Sequence, residues 1–263
     1  MKAMFKVFND ESEWEIFNNF INGNRLTFAK SRAEKSLIEK ITSASWQNNT
    51  ESRPDFISED LMIEMFEVDD IVTIKKGKKN PQREANARAY REVEKFISEV
   101  GVFNEDIRIV ATGDTRYDPE TEQVIPEKTE EHHNYQAYIN NFKRICQKHL
   151  DSLESYRENY PHKKLGFLII DDATMYLPSK KTPRTTLKDA VYSLPYYDKN
   201  FMSLFVQSDV DFVIWAFNNK YLYINGDHGQ NSYLPDIAVI SKDNYYTKHS
   251  KYIDSKKMCS LEE

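Results

Sequence analysis

Glycine and cysteine are scarce in this chain, seven and two among 263 residues. The glycines stand at 23, 77, 101, 113, 166, 226 and 229, and no GxGxxG or GxxxxGK(S/T) spacing results. Neither of those backbone cradles for nucleotide phosphates is present. Cys146 and Cys259 are too few for a disulfide framework or a cysteine-based zinc site. HExxH and GxSxG are missing as well, which removes the zincin helix and the nucleophile elbow. No apolar run approaches the roughly 18 residues of a membrane-spanning helix. The opening MKAMFKVFNDESEWEIF puts acids where a signal peptide needs an apolar stretch. Positive charge is not in excess either: 36 Lys+Arg against 42 Asp+Glu leave a net charge of −6. A general affinity for nucleic acid or anionic membranes is not expected from that balance. These absences predict a soluble, cytoplasmic protein with no membrane partner.

Aromatic residues are plentiful: 16 Tyr, 15 Phe and 3 Trp. Hydrophobic residues make 40% of the chain, enough for a real core. Helical periodicity appears over 11–21, 30–45, 83–99 and 132–157. The last carries a stripe from Tyr135 through Tyr138, Ile139, Phe142 and Cys146 to Tyr156. Strand patterns appear at 55–57, 61–68, 71–74, 106–111, 165–172, 210–217, 220–225 and 236–240. Asn218-Asn219 reads as a hairpin turn between two of them. Strands separated by helices early and joined directly later predict an α/β protein, a mixed sheet flanked by helices. No repeat or composition break divides the chain, so 1–263 reads as a single domain, with 200–263 a candidate C-terminal subdomain. Charge is uneven along it. Residues 73–95 carry eight Lys/Arg against three Glu, and 104–131 carry nine acids against three bases. A solvated loop and an amphipathic helix account for the basic segment; contact with a phosphate backbone is the alternative.

Three acids stand where acids are costly. Glu34 shares a helix face with Ile38 and Ile41. Asp55 follows Pro54 at the start of a short strand. Glu64 lies in LMIEMFEV, on the strand face of Met62, Phe66 and Val68. A carboxylate in such a place needs a partner. A divalent cation suits the demand: Mg²⁺ binds through one or two carboxylates plus waters and phosphate oxygens, and stabilises charge at a scissile phosphate. A structural ion pair, a turn initiator and a half-exposed helix residue would explain the three acids equally.

The succession of helix Glu34, Pro54-Asp55 and then Glu64-Met65-Phe66 resembles the PD-(D/E)xK nuclease superfamily over about residues 30–70. The resemblance implies a restriction-endonuclease-like core, Mg-dependent cleavage of nucleic acid, and Glu34, Asp55 and Glu64 as metal ligands. The family lysine, two positions after the strand acid, is Phe66 here. Lys75 or Lys76 would have to replace it as the catalytic cation. Some members of the family have lost activity, so a non-catalytic protein that binds a protein or nucleic-acid partner is the alternative.

A second acidic group, Asp171-Asp172 with Asp114, closes strands. It could line a crevice at their carboxyl ends or simply initiate turns. His132 and His133 read as a surface feature at a helix start, and Gly226-Asp227-His228-Gly229 as a turn. His149 reads as a satisfied core histidine and Cys146 as packing. Tyrosines crowd the last third, Tyr192, Tyr196, Tyr197, Tyr245 and Tyr246 among them. Core and rim packing is the expectation there; base stacking or a protein interface is the alternative.

Overall fold

The computed structural model describes residues 12–22, 25–70, 115–118, 120, 123–126, 133–178, 192–218, 223–224 and 232–260. The expected helix at 83–99, the strands at 71–74 and 106–111, Lys75, Lys76, Asp114 and the 226–229 turn lie outside them.

Helix α1 (Glu13–Asn22) buries Ile16, Phe17, Phe20 and Ile21, one face at helical spacing. Strand β1 (Thr27–Ala29) leads into α2 (Arg32–Ser43). β2 (Gln47–Asn48), β3 (Phe56–Ile57) and β4 (Leu61–Val68) then run as an antiparallel meander. β5 (Thr115–Asp118) and β6 (Gln123–Pro126) pair as a separate hairpin. Helices α3 (Tyr135–Leu150) and α4 (Leu153–Asn159) precede β7 (Lys164–Asp171) and β8 (Tyr176–Pro178). Helix α5 (Lys199–Val206) leads to β9 (Phe212–Phe217). β10 (Tyr223–Ile224), β11 (Ser232–Tyr233), β12 (Ile237–Ser241) and β13 (Met258–Ser260) follow.

Among the described residues the main sheet has seven strands in the order β1-β12-β9-β7-β4-β3-β2. β4, β7 and β9 are mutually parallel at its centre. Their sequences are nearly continuous apolar runs because both sheet faces are covered. Helices α1 and α2 cover one face, over Leu61, Ile63, Leu168, Ile170 and Ile214. Helices α3, α4 and α5 cover the other, over Met62, Phe66, Phe167, Ile169 and Trp215. Gly166 is needed where β7 meets β9: a Cβ there would come within 2.1 Å of the Phe212 ring. This is the α/β mixed sheet flanked by helices that the pattern of elements predicts.

Two local expectations need correction. The long helix over 132–157 is broken at Asp151 and Ser152. There the Ser152 N–H bonds the carbonyl of His149 and its hydroxyl that of Lys148. A short polar side chain competing for helix carbonyls produces such a break. The hairpin at Asn218-Asn219 does not form either. β9 pairs instead with β7 and, antiparallel, with β12. All six residues of β9 are buried, and the apolar Ile237–Ile240 run is the partner that keeps its edge dry.

Candidate functional site

Asp55 and Glu64 come together through the β3–β4 meander. Phe56 stands opposite Ile63, so Asp55 falls opposite Glu64. Glu64 is fully buried on the α3 face of the sheet. Its Oε1 accepts from the Arg53 guanidinium and contacts Nδ1 of His149 at 2.8 Å. With Glu64 ionised, that second contact places a proton on Nδ1. The same guanidinium lies 3.6 Å from Asp55 Oδ1, and Asp55 Oδ2 accepts from the Met65 N–H at 2.8 Å. The His149 ring lies flat on Phe66, with centroids 4.5 Å apart and planes at 10°.

The electrostatics follow from this packing. Burial first, and then the negative charge of Glu64, push the Asp55 carboxyl up to about 6. The two carboxylates hold Arg53 above its ordinary range, Glu64 contributing most. Tyr156 stands close enough for the Glu64 charge, after burial, to raise its phenol. Neither the Tyr156 hydroxyl nor Glu64 Oε2 makes a hydrogen bond of ordinary geometry.

Glu34 is elsewhere. It is fully buried, as its helix stripe predicts, but its oxygens are bound at the N-terminus of α2. Oε2 accepts from the N–H groups of Lys30 at 2.6 Å and Ser31 at 3.0 Å, while Ser31 Oγ accepts from the Glu34 N–H: a capping box. Oε1 accepts from the Ser241 N–H at 2.9 Å and Asn244 Nδ2 at 3.0 Å, tying α2 to the end of β12. Strands β9 and β7 lie between β12 and β4, which separates those strands by roughly 14 Å. The three-acid gathering expected from the sequence is therefore corrected to a pair, Asp55 and Glu64. With the Ser241 hydroxyl, which donates to Oε1 at 3.2 Å, five hydrogen-bond donors meet the need that a cation was invoked to satisfy. Lys75 lies outside the described residues. Phe66, where the resemblance calls for a lysine, packs between His149 and Phe167.

The pair as built is a poor fit for Mg²⁺. Such an ion needs two oxygens facing an open, hydrated position, and the Arg53 guanidinium occupies the space between them. Among the described residues no three acidic, histidine or cysteine side chains converge as a ligand set. No helix among them is long and apolar enough to cross a membrane. No family model, curated protein or solved structure matches the chain.

A second constellation, only partly visible in the sequence, sits at the carboxyl ends of the parallel strands. Asp171 closes β7, is fully buried, and accepts from Tyr138 Oη at 2.6 Å and Trp215 Nε1 at 2.8 Å. Asp172 accepts from Asn218 Nδ2 at 3.0 Å. Asp70, just past β4, accepts from Tyr176 Oη and contacts His133 Nδ1 at 3.0 Å. Only 7% of the His133 side chain is exposed, so it is no surface feature. Asp198 accepts from Tyr135 Oη at 2.9 Å, and burial raises its carboxyl above the ordinary range. The sequence carried half of the signal. Tyr135 and Tyr138 sit on the stripe of α3, and Asp69-Asp70 interrupts two apolar runs.

Proposed function

We propose that this chain is a non-catalytic binding protein on a nuclease-like α/β scaffold. The position between its two paired acids is filled by its own cation. One observation supports the reading above others: Arg53 bonds Glu64 and faces Asp55, doing there what a divalent ion would do. Two further features agree with it. The third acid is committed to a helix cap, and Phe66 stands where the hydrolytic lysine of the family would be. A buried carboxylate already met by a guanidinium and an imidazole leaves no unmet charge for a metal to satisfy. Titration calorimetry with Mn²⁺ tests the proposal, with no saturable heat expected. Incubation with labelled single- and double-stranded DNA and RNA in Mg²⁺ is expected to leave them intact. Saturable Mn²⁺ binding that Asp55→Ala abolishes, accompanied by cleavage, would overturn it.

A second reading, an Mg-dependent nuclease, is favoured by one specific observation. The Arg53 side chain is 58% exposed and Glu64 Oε2 makes no ordinary hydrogen bond. The guanidinium could swing to solvent and leave two carboxylates for the ion. In that reading Asp55 and Glu64 would hold the metal, and the nucleic acid would be the partner. The same calorimetry separates the two.

A further inference from the structure

Helix α3, helix α5 and residues 245–257 together carry eight Lys/Arg against one acid, Asp254, in a chain whose net charge is −6. Neither helix contains Asp or Glu. The three lie side by side. Gln136 on α3 accepts from the Ser255 hydroxyl at 2.9 Å. The Lys251 N–H donates to the Tyr197 carbonyl at 3.0 Å, and the Lys251 carbonyl accepts from the Lys199 N–H at 2.8 Å, which ties the segment to the start of α5. Gln136, Asn140, Lys143 and Gln147 follow at helical spacing along the flank of α3 that meets Ser255, with Arg144 beside them. Lys143, Arg144, Lys248, Lys251, Lys256 and Lys257 are exposed. Among the described residues only Lys257 of these six has an acidic partner, Asp254 at 3.9 Å. Two rings stand among the charges. Tyr252 is 68% exposed and Tyr246 37%. Nζ of Lys199 lies 5.8 Å from the Tyr252 ring centroid and 4.9 Å from that of Tyr246, within cation–π range. Tyr252 is held by fixed backbone on both sides. Lys251 is bonded as above, and Ile253 donates its N–H to Asp198 at 3.2 Å and accepts from Asn200 Nδ2 at 3.0 Å. A ring exposed on fixed backbone loses little freedom when a second ring stacks on it.

We propose that this face binds single-stranded nucleic acid, its lysines and Arg144 meeting phosphates while Tyr252, with Tyr246 near it, stacks on a base. Lys and Arg supply the phosphate contacts, which are independent of sequence. An aromatic face adds stacking with any unpaired base. A duplex keeps its base faces covered by their neighbours and offers the rings only sugar and phosphate. An anionic bilayer needs apolar side chains to insert, and the exposed flank of α3 is built of Gln, Asn, Lys and Arg. The inference names a partner without using the Asp55–Glu64 pair, and it stands whether or not that pair takes a metal.

Fluorescence anisotropy of the whole chain with labelled oligo(dT) and oligo(U) of about 20 nucleotides tests it. EDTA in the buffer keeps the result apart from any metal chemistry. Saturable micromolar binding is expected at about 50 mM salt. The affinity should fall with salt at a log–log slope of about 3, the value for four phosphates on a single strand. An abasic strand of the same length keeps the phosphates and loses the bases, and should bind roughly tenfold more weakly. Tyr252→Ala, at an exposed position, should melt like wild type, bind roughly tenfold more weakly and keep the salt slope. Lys251→Gln/Lys256→Gln should lower that slope by about 1.4, two phosphates' worth. Four results would overturn the proposal. The first is no saturable binding of either strand below about 100 μM, whether or not phosphatidylserine vesicles bind. The others are equal affinity for the abasic strand or for a duplex, undiminished binding by a folded Tyr252→Ala protein, and a slope that the lysine pair does not change. If Tyr252→Ala does not fold, the abasic strand on wild type still decides.

Discussion

Two groups of buried acids sit on the same sheet, and they are stabilised in opposite ways. Asp55 and Glu64, beside the β3–β4 meander, are answered by a guanidinium and an imidazole. Asp171 and Asp198, near the carboxyl ends of the strands, are held by phenol, indole, amide and backbone N–H groups. The first arrangement cancels charge with charge and needs nothing more. The second, among the described residues, surrounds the carboxylates with neutral donors and aromatic rings. The acids that resemble a nuclease site are thus the closed ones. The acids near the carboxyl ends of the strands carry no motif.

The largest test of this contrast is Asp171→Ala. It leaves the Tyr138 hydroxyl and the Trp215 N–H without their acceptor in a fully buried site. A loss of about 3–5 kcal/mol in urea unfolding is expected. Asp171→Asn, which keeps an acceptor oxygen, should lose less than half as much. A loss below about 1 kcal/mol for the alanine variant would mean that water reaches these groups, and that the site is wet where the fold buries it.

Glu34→Ala comes next. It removes the acceptor of five donors and the reciprocal half of a capping box. A loss of about 2–3 kcal/mol is expected from denaturant unfolding, with Mn²⁺ titrations indistinguishable from wild type. A selective change in metal binding without a loss of stability would return Glu34 to the acid pair.

How far the sequence could be read follows from how local each interaction is. β4, β7, β9 and β12 are apolar runs, and their burial on both faces is written in them. Asp55 and Glu64 are ten residues or fewer from a tight turn, so strand register alone brings them together. Glu34 was legible in two ways. Its place on an apolar stripe marks it as buried, but Ser31-x-x-Glu34 is also a capping-box signature, and the local hydrogen bonds prevail over a distant ion. The tyrosine–aspartate contacts span 33, 63 and 106 residues. No periodicity encodes such a pairing: a tyrosine on a helix stripe reads as packing until the fold shows where its hydroxyl points. Arg53 was illegible for a similar reason, since its role depends on a bend between β2 and β3 that no composition signal fixes.

Asp55 gives a pH signature of its own. Its folded-state carboxyl lies near 6, above its ordinary 3.8. The folded protein therefore holds this proton more tightly than the unfolded chain does. The resulting stabilisation is complete below about pH 4 and is lost as pH rises through 6, amounting to at most about 3 kcal/mol. Asp55→Asn, whose side-chain oxygen can still accept from the Met65 N–H, should remove that dependence. Subtracting its stability–pH curve from that of wild type should leave a fall between about pH 4 and 6. A flat difference would mean that Arg53 already neutralises Asp55 completely.

Arg53→Ala has the smallest expected effect on stability and sharpens the contrast most. The side chain is more than half exposed, so its removal should cost only about 1 kcal/mol, Glu64 retaining His149. Its charge, after the Met65 N–H, nevertheless holds Asp55 down against burial and Glu64. Without it the Asp55 carboxyl must rise further, and the fall in the difference curve against Arg53→Ala/Asp55→Asn must move to higher pH. The displacement has the same sign for any cation in that position. A wild-type protein that already held a metal between the two acids would instead show its Asp55 transition below the ordinary carboxylate value, and removing Arg53 would leave that transition where it was. Whether that one midpoint moves when Arg53 is removed thus states which cation the acid pair holds.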